Sequence, residues 1–484
     1  MHLKHNFIYN TIYQILSIIF PIATGPYLSR VIGAHGIGIY TFTTSIVSYF
    51  ILFGVLGLNT FGSREIAYHQ DDIEKRSRVF WEIFLLKLLS VTASSVIFLI
   101  CLPFFSKSLF IFYLIEIIIF FSTSLDISWF FIGMEDFKDL VVRGIVARIL
   151  IVLSVFVFVK TAHDVWIYVL INCLGTLISS LWIWPFAFRK IAFVKIPFRD
   201  ILLPLIPSIA LFMPTIATSI YLSINKVMLG ALDSIEAAGY FQQSDNIIRM
   251  ILMLITSLGT VMMPHIAKLF AEGNKQKIDL SLEKSFHFIS FLGFPAFIGL
   301  TIISDHFSVL FYGENFLETG KIMSIECIII VFIGFSNIVG MQYLLPTNKV
   351  KLYTLSVTLG AISNIIANPM LILMFGAEGA AAATALSEII VLFVQTLSTK
   401  QDIPYRKLFF SEDWKYLIAA IAMGLILFPT NMFIGKSWIG LILASMGGFF
   451  IYIIIISLLG SEISRIFLTQ IKEYFYKKGT KEPK

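Results

Sequence analysis

Charge is scarce in this sequence. Asp, Glu, Lys and Arg make up 14% of its 484 residues, against the roughly 25% usual in soluble domains. So little charge cannot cover a water-facing surface, which excludes a soluble globular protein. Cysteine is scarcer still. Cys101, Cys173 and Cys327 all lie in apolar runs, so neither a disulfide framework nor a cysteine metal site is offered. His35, His69, His163 and His265 are scattered near the ends of such runs, without the spacing a metal site needs. A Walker A phosphate loop is missing, and no other motif marks an enzyme or a cofactor. The first apolar run has no small-residue cleavage site and continues through prolines into a second run, so it reads as retained. A net charge of +6 would suggest nucleic acid in a soluble protein. Here its location sets orientation instead.

Hydrophobic residues, at 57%, are what the chain has in excess. A membrane-spanning helix needs about 20 mainly apolar residues. Segments that qualify are 8–30, 38–60, 80–102, 108–130, 141–160, 164–187 and 201–224. They continue with 238–262, 285–304, 320–344, 352–374, 379–398, 414–432 and 438–459, fourteen in all. With the N-terminus inside, the inner connections and ends hold 27 Lys and Arg and the outer ones 6. That asymmetry places both ends in the cytoplasm of a cell whose membrane the chain crosses an even number of times. All seven Trp fall near proposed span ends, as an interfacial aromatic belt requires. The stretch after residue 460 is basic, and it reads either as a surface against anionic lipid or as a solvated end.

The chain also repeats itself. Ile22-Ala23-Thr24 and Tyr27-Leu28-Ser29 return as Ile216-Ala217-Thr218 and Tyr221-Leu222-Ser223 with the same spacing. Beyond a short gap Lys226 stands near the place of Arg30, and Gly239-Tyr240 echoes Gly38 and Tyr40. Pro21 and Pro26 break the first copy, and Pro204, Pro207 and Pro214 the second. Paired broken hydrophobic segments point to a transporter's binding site. The expected organisation is therefore an all-α polytopic protein of two pseudo-symmetric six-helix lobes around a central cavity, 1–200 and 201–413. Two further helices over 414–460 and a basic cytoplasmic tail over 461–484 complete it.

Ionisable groups inside a bilayer cost about 2.5–3.5 kcal/mol on insertion scales and face a polar interior or a partner. Arg148, Glu116, Glu326 and Glu388 lie inside proposed spans, Asn225-Lys226 closes one, and Asn364 and Asn368 mark another. Asp245 and Arg249 are four residues apart, on one helix face and within pairing reach. Two readings stay open for them: a neutralised structural pair, or an arginine facing substrate. Glu326 either reaches outward to the surface or faces the interior, whereas Lys87, near the inner surface, is expected to snorkel. Arg30 and Lys226 would converge if the two halves face each other. Guanidinium stays charged and binds phosphate in bidentate fashion, so Arg30, Arg148, Asn225, Lys226, Arg249 and Asn364 are candidates for an anionic substrate. Asp245, Glu116, Glu388 and Glu326 are candidates for ion coupling.

The sequence resembles the multidrug/oligosaccharidyl-lipid/polysaccharide exporter superfamily, and within it the Wzx-type polysaccharide flippases. The matching words are Pro26-Tyr27-Leu28-Ser29-Arg30 with Gly33, Gly36 and Gly38-Ile39-Tyr40, then Ser45-Ile46-Val47-Ser48-Tyr49-Phe50 and Gly62-Ser63-Arg64-Glu65-Ile66-Ala67. In the second half they are Ser257-Leu258-Gly259-Thr260-Val261 with Pro264, Gly340-Met341-Gln342-Tyr343-Leu344-Leu345-Pro346, and Gly376-Ala377-Glu378-Gly379-Ala380-Ala381 with Ser387-Glu388. The resemblance implies a bacterial cytoplasmic-membrane flippase. Such a protein carries undecaprenyl-pyrophosphate-linked oligosaccharide repeat units to the outer leaflet, drawing on an H+ or Na+ gradient and working beside polysaccharide polymerase and assembly partners. Two rivals remain. A drug or cation antiporter of the same superfamily would favour interior carboxylates, and a polymerase-type membrane enzyme would need a sizeable outer loop, which is absent.

A reporter fused after Lys484 should be active only as a cytoplasmic reporter, and one inserted after Lys160 only as an external one. The opposite result at Lys484 would remove the even number of crossings.

Overall fold

The computed structural model describes residues 19–433, 437–461 and 465, with backbone alone at 210, 213–222, 260–261 and 431–433. The expected span 8–30 is therefore described only from residue 19, 201–224 only in part, and the basic stretch 461–484 lies almost wholly outside the described residues. All the regular elements among the described residues are helices. α1 covers 19–31. It is followed by α2 (Gly33–Val55), α3 (Leu58–Tyr68), α4 (Ile73–Cys101), α5 (Phe110–Leu125), α6 (Ser128–Gly133), α7 (Phe137–Phe158) and α8 (Val165–Trp182). Two short turns, α9 (Trp184–Ala187) and α10 (Phe198–Ile201), lead to α11 (Leu205–Leu232) and α12 (Ile235–Ala271). Next come α13 (Lys275–Tyr312), α14 (Leu317–Glu326) and α15 (Ile329–Asn337), which runs on as a π-helix over Ile338–Leu344. α16 (Val350–Thr399), α17 (Tyr405–Leu408), a second π-helix (Phe409–Asp413), α18 (Trp414–Phe433) and α19 (Trp438–Leu458) complete the order.

Among the described residues ten helices are long and apolar enough to cross a membrane, or eleven if the pair Glu314–Glu326 and Ile329–Leu344, bent by 42°, is one span. The fifty residues of α16 are two arms. Gly376 has φ 57° and ψ −134°, a backbone state open to glycine, and the chain turns back there. Gln395 Nε2 donates to Ser356 Oγ across the two arms at 3.2 Å. The small residues after the turn, Ala380, Ala381 and Ala383, are fully buried, as close approach of two membrane helices demands.

The chain packs as two compact units, Met1–Gln242 and Gln243–Lys484. The lobe boundary expected at 200/201 lies earlier, because α11 packs on α2 and α3 of the first unit. Aromatic rings fill the core of that unit. Phe80 stacks on Trp129 at 5.5 Å, and Phe84 meets Trp184 edge-on at 4.9 Å. In the second unit Tyr416, Ala419, Ala420, Met423 and Tyr452 bring α18 and α19 onto α13, and the Tyr452 hydroxyl donates to the Phe291 carbonyl at 2.9 Å.

Among the described residues, the following hydrogen bonds between connections join stretches that the Lys and Arg count places on one side. Arg76 Nη2 donates to the Lys190 carbonyl at 2.5 Å, and Arg78 Nη2 to Asp200 at 2.7 Å. On the opposite side the Tyr27 hydroxyl donates to the Val159 carbonyl at 2.6 Å, and His35 meets Glu236 at 2.7 Å. In the second unit Lys349 pairs with Asp402 at 2.5 Å. Partial burial pushes the Lys349 pKa down, but the bond to Asp402 and the charges of Asp402 and Tyr343 together leave the ammonium above its ordinary value.

Sequence repetition reappears as a physical contact. A Cβ on Gly38 would lie 1.9 Å from the Ile235 carbonyl oxygen, and one on Gly239 would lie 2.2 Å from the Ala34 carbonyl oxygen. Ile235 precedes Gly239 by four residues, as Ala34 precedes Gly38. The contact is thus reciprocal: each repeat copy's backbone occupies the space the other's glycine leaves open.

Gly38→Ala should therefore lower the thermal stability of the purified protein by about 1–3 kcal/mol, the range for overpacking a tight contact. Gly447→Ala, whose Cβ meets nothing within 4 Å, should leave it unchanged in the same thermal-shift measurement.

Candidate functional site

In the first unit the best-defined polar centre is Glu116. It sits on α5, fully buried. One carboxylate oxygen, Oε1, accepts from the Thr43 hydroxyl at 2.8 Å and from the Thr44 hydroxyl at 2.7 Å. Consecutive threonines reach one atom because α2 packs against α5. Its second oxygen, Oε2, is buried with no hydrogen-bond partner among the described residues. A carboxyl group held in this way can take a proton, or a cation, on the free oxygen. Tyr40, one turn before Thr44, packs edge-on against Tyr168 at 4.9 Å.

Arg30 ends α1 exposed, and its Nη1 donates to the Pro26 carbonyl at 2.9 Å. Lys226 is half-buried and Asn225 buried on α11. These two cations do not converge. Phe53 packs against Phe212 at 6.0 Å, and Gly230 lies beside the Phe42 ring, so α11 runs antiparallel to α2. Lys226, one turn before Gly230, then stands beside the middle of α2, while Arg30 precedes its first residue. At about 1.5 Å per residue the two levels differ by on the order of 20 Å along α2. Arg148 lies half-buried on α7.

Lys87 corrects an expectation. It does not snorkel, being fully buried, and its Nζ donates to Asn59 Oδ1 and to the Asp126 carbonyl, both at 2.9 Å. Asp126 in turn pairs with Arg143 at 3.1 Å, and Arg143 also donates to the Ser179 carbonyl at 3.1 Å. Arg143, counted from sequence among the connection charges, belongs to this interior network, which ties α3, α4, α7 and α8 to the turn between α5 and α6. Asn59 and Asp126, polar residues at the ends of neighbouring apolar runs, were the sequence signal for it.

The second unit gathers the other candidates. Asp245, 2% exposed, pairs with Arg249 at 2.6 Å, with the arginine 43% exposed. Its neighbour Ser244 donates to Glu326 Oε2 at 2.6 Å, and Glu326 is fully buried. Glu326 therefore faces the interior. Asn364 and Glu388 lie on opposite arms of α16. The Ser356–Gln395 bond fixes the register, and eight residues inward from each brings Asn364 level with Ser387, beside buried Glu388. Asn364 is fully buried, with neither side-chain polar atom hydrogen-bonded among the described residues. Gln342, on the π-helix, shares that condition, and π-helical turns recur at functional sites. Neither Gln342, part of a family word, nor Gln395 carries a spacing signal that marks it as a site residue, because an isolated glutamine in an apolar run has none.

A protein of Escherichia coli (strain K12) assigned as an O-antigen transporter is 24% identical over 399 residues, covering 81% of this chain and 95% of that one. The fold matches the lipid II flippase MurJ in an inward closed conformation, with a TM-score of 0.75 at 17% identity over 94% of this chain and 98% of the other. It also matches an inward-facing multidrug resistance MATE family transporter of the MOP superfamily, with a TM-score of 0.66 at 13% identity over 83% and 99%. The family described as polysaccharide biosynthesis protein matches residues 3–270, more than half of the sequence, and this chain belongs to that family.

Proposed function

We propose that this protein is a flippase for lipid-linked oligosaccharides, moving undecaprenyl-pyrophosphate-linked repeat units from the inner to the outer leaflet for surface polysaccharide synthesis. The observation that carries the reading is the family match over residues 3–270. The relative assigned to O-antigen transport and the fold shared with a lipid II flippase support it. Permanent cations in an apolar bundle fit a pyrophosphate, since guanidinium binds phosphate in bidentate fashion. Arg30, Arg148, Lys226 and Arg249 are the residues proposed to meet it in turn, with Asn225 and Asn364 offering amides to the sugars. Because Arg30 and Lys226 stand at different levels, they serve successive positions of the substrate.

Transport against a gradient needs a coupled ion. Glu116 is the leading carboxyl for H+, and Glu388, Glu326 and Asp245 are those of the second unit open to H+ or Na+. The proposed setting is the bacterial cytoplasmic membrane, with both termini cytoplasmic and a polysaccharide polymerase acting on the product. A drug or cation antiporter is the second reading, and the buried carboxyl of Glu116 together with the MATE-like fold favours it.

A deletion strain complemented with the wild-type gene should export surface polysaccharide. Arg30→Ala should cut export at least tenfold and build up the lipid-linked precursor on the inner leaflet, with Arg30→Lys intermediate and Lys226→Ala weaker. Normal export in the deletion strain, with altered drug sensitivity, would favour the antiporter.

Glu116→Gln keeps the shape and an acceptor for Thr43 and Thr44 but cannot exchange a proton. Its thermal stability should stay within about 1 kcal/mol of wild type, the common range for point changes that keep their contacts. Gradient-driven transport in vesicles should fall at least tenfold, and retained coupling would move the ion site to the second unit.

A further inference from the structure

Between the second arm of α16 and α18 the chain passes through residues 400–413, where it leaves one membrane helix and enters the next. This segment is firmly held. Ile403 and Leu408 are buried, and the Thr399 and Tyr405 hydroxyls meet at 2.5 Å. Its acids are all committed. Asp402 holds Lys349 at 2.5 Å, Glu412 holds Lys415 at 2.7 Å, and Asp413 meets His287 at 2.8 Å.

The cations that remain are Lys400, Arg406 and Lys407. All three are exposed, and none has an ion-pair partner among the described residues. They line one cavity of roughly 800 Å³ together with Ile403, Pro404 and Phe410, and Phe410 is 65% exposed. Three cations above an apolar floor, at the end of a membrane helix, match a phosphate with hydrocarbon attached. Basic pockets of this kind at the cytoplasmic end of membrane helices hold anionic headgroups.

We propose that this cavity binds the headgroup of an anionic phospholipid of the leaflet it faces. The phosphate lies among Lys400, Arg406 and Lys407, and an acyl chain runs along Phe410. The Lys and Arg distribution makes that leaflet the cytoplasmic one. The site depends on the chain being embedded in a membrane and does not depend on what the protein transports, so failure of the flippase reading would leave it standing.

The test uses the full-length protein in uncharged detergent, titrated with dioctanoyl phosphatidylglycerol and dioctanoyl phosphatidylcholine by calorimetry. Phosphatidylglycerol should bind saturably and at least tenfold more tightly than phosphatidylcholine. Removing each cation should weaken it about fivefold, the equivalent of about 1 kcal/mol per basic residue, so K400Q/R406Q/K407Q should lose on the order of 100-fold. The control K268Q/K277Q/K284Q removes as many charges from the last turn of α12 and the first turns of α13, and should bind within twofold of wild type. If the site variant is poorly folded, R406Q alone should show the fivefold loss at unchanged melting temperature. Unchanged affinity in the site variants, equal loss in the control, or equal binding of phosphatidylcholine would overturn the proposal. So would a short-chain prenyl pyrophosphate binding more tightly than phosphatidylglycerol at the same cations, which would hand the cavity to a pyrophosphate lipid.

Discussion

Inside a bilayer no water is available to satisfy backbone polar groups, and a charged side chain there needs a partner within the bundle. That constraint governs where the helices of this protein meet. Lys87 illustrates it: the ammonium of α4 is held by Asn59 from α3 and by the Asp126 carbonyl at the end of α5, and the Asp126 carboxylate is held by Arg143 from α7. Removing one member would strand another charge, the costly case for a buried pair. The aromatic core around Phe80 and Trp129 packs the same unit from the apolar side.

Close approach is the second requirement, and the repeat supplies it. Lipid tails are as apolar as leucine, so membrane helices gain little by hiding apolar surface from one another and depend on tight packing. Gly38 and Gly239 admit each other's neighbouring carbonyl groups, and the exposed His35–Glu236 pair lies beside that crossing. A duplicated segment thus makes a self-complementary contact, the internal counterpart of a two-fold interface. The α16 hairpin meets the same requirement with a turn at Gly376 and a run of alanines.

These packing rules leave each unit with its own titratable interior. Glu116 is held by two threonines in the first, while Glu326, Asp245 and Glu388 stand in the second among buried amides. Of these, Glu116 keeps one carboxylate oxygen without a hydrogen-bond partner among the described residues.

The sequence by itself determined the all-helical membrane class and the family resemblance, because apolar span length and the turn glycines are local properties; of the fourteen expected spans the described residues show ten or eleven. The hairpin at Gly376 and the buried positions of Glu116 and Glu388 could be read from runs of residues. Only the tertiary structure decided which groups share a partner. Lys87 near a span end is expected to reach the surface, yet Asn59 and Asp126, distant in sequence, hold it inside. Arg30 and Lys226 occupy matching places in the repeat, yet the antiparallel register of α11 on α2 separates them. Periodicity fixes the face a residue occupies on its own helix. The level at which two helices meet depends on side chains far apart in the chain, and no local pattern records it.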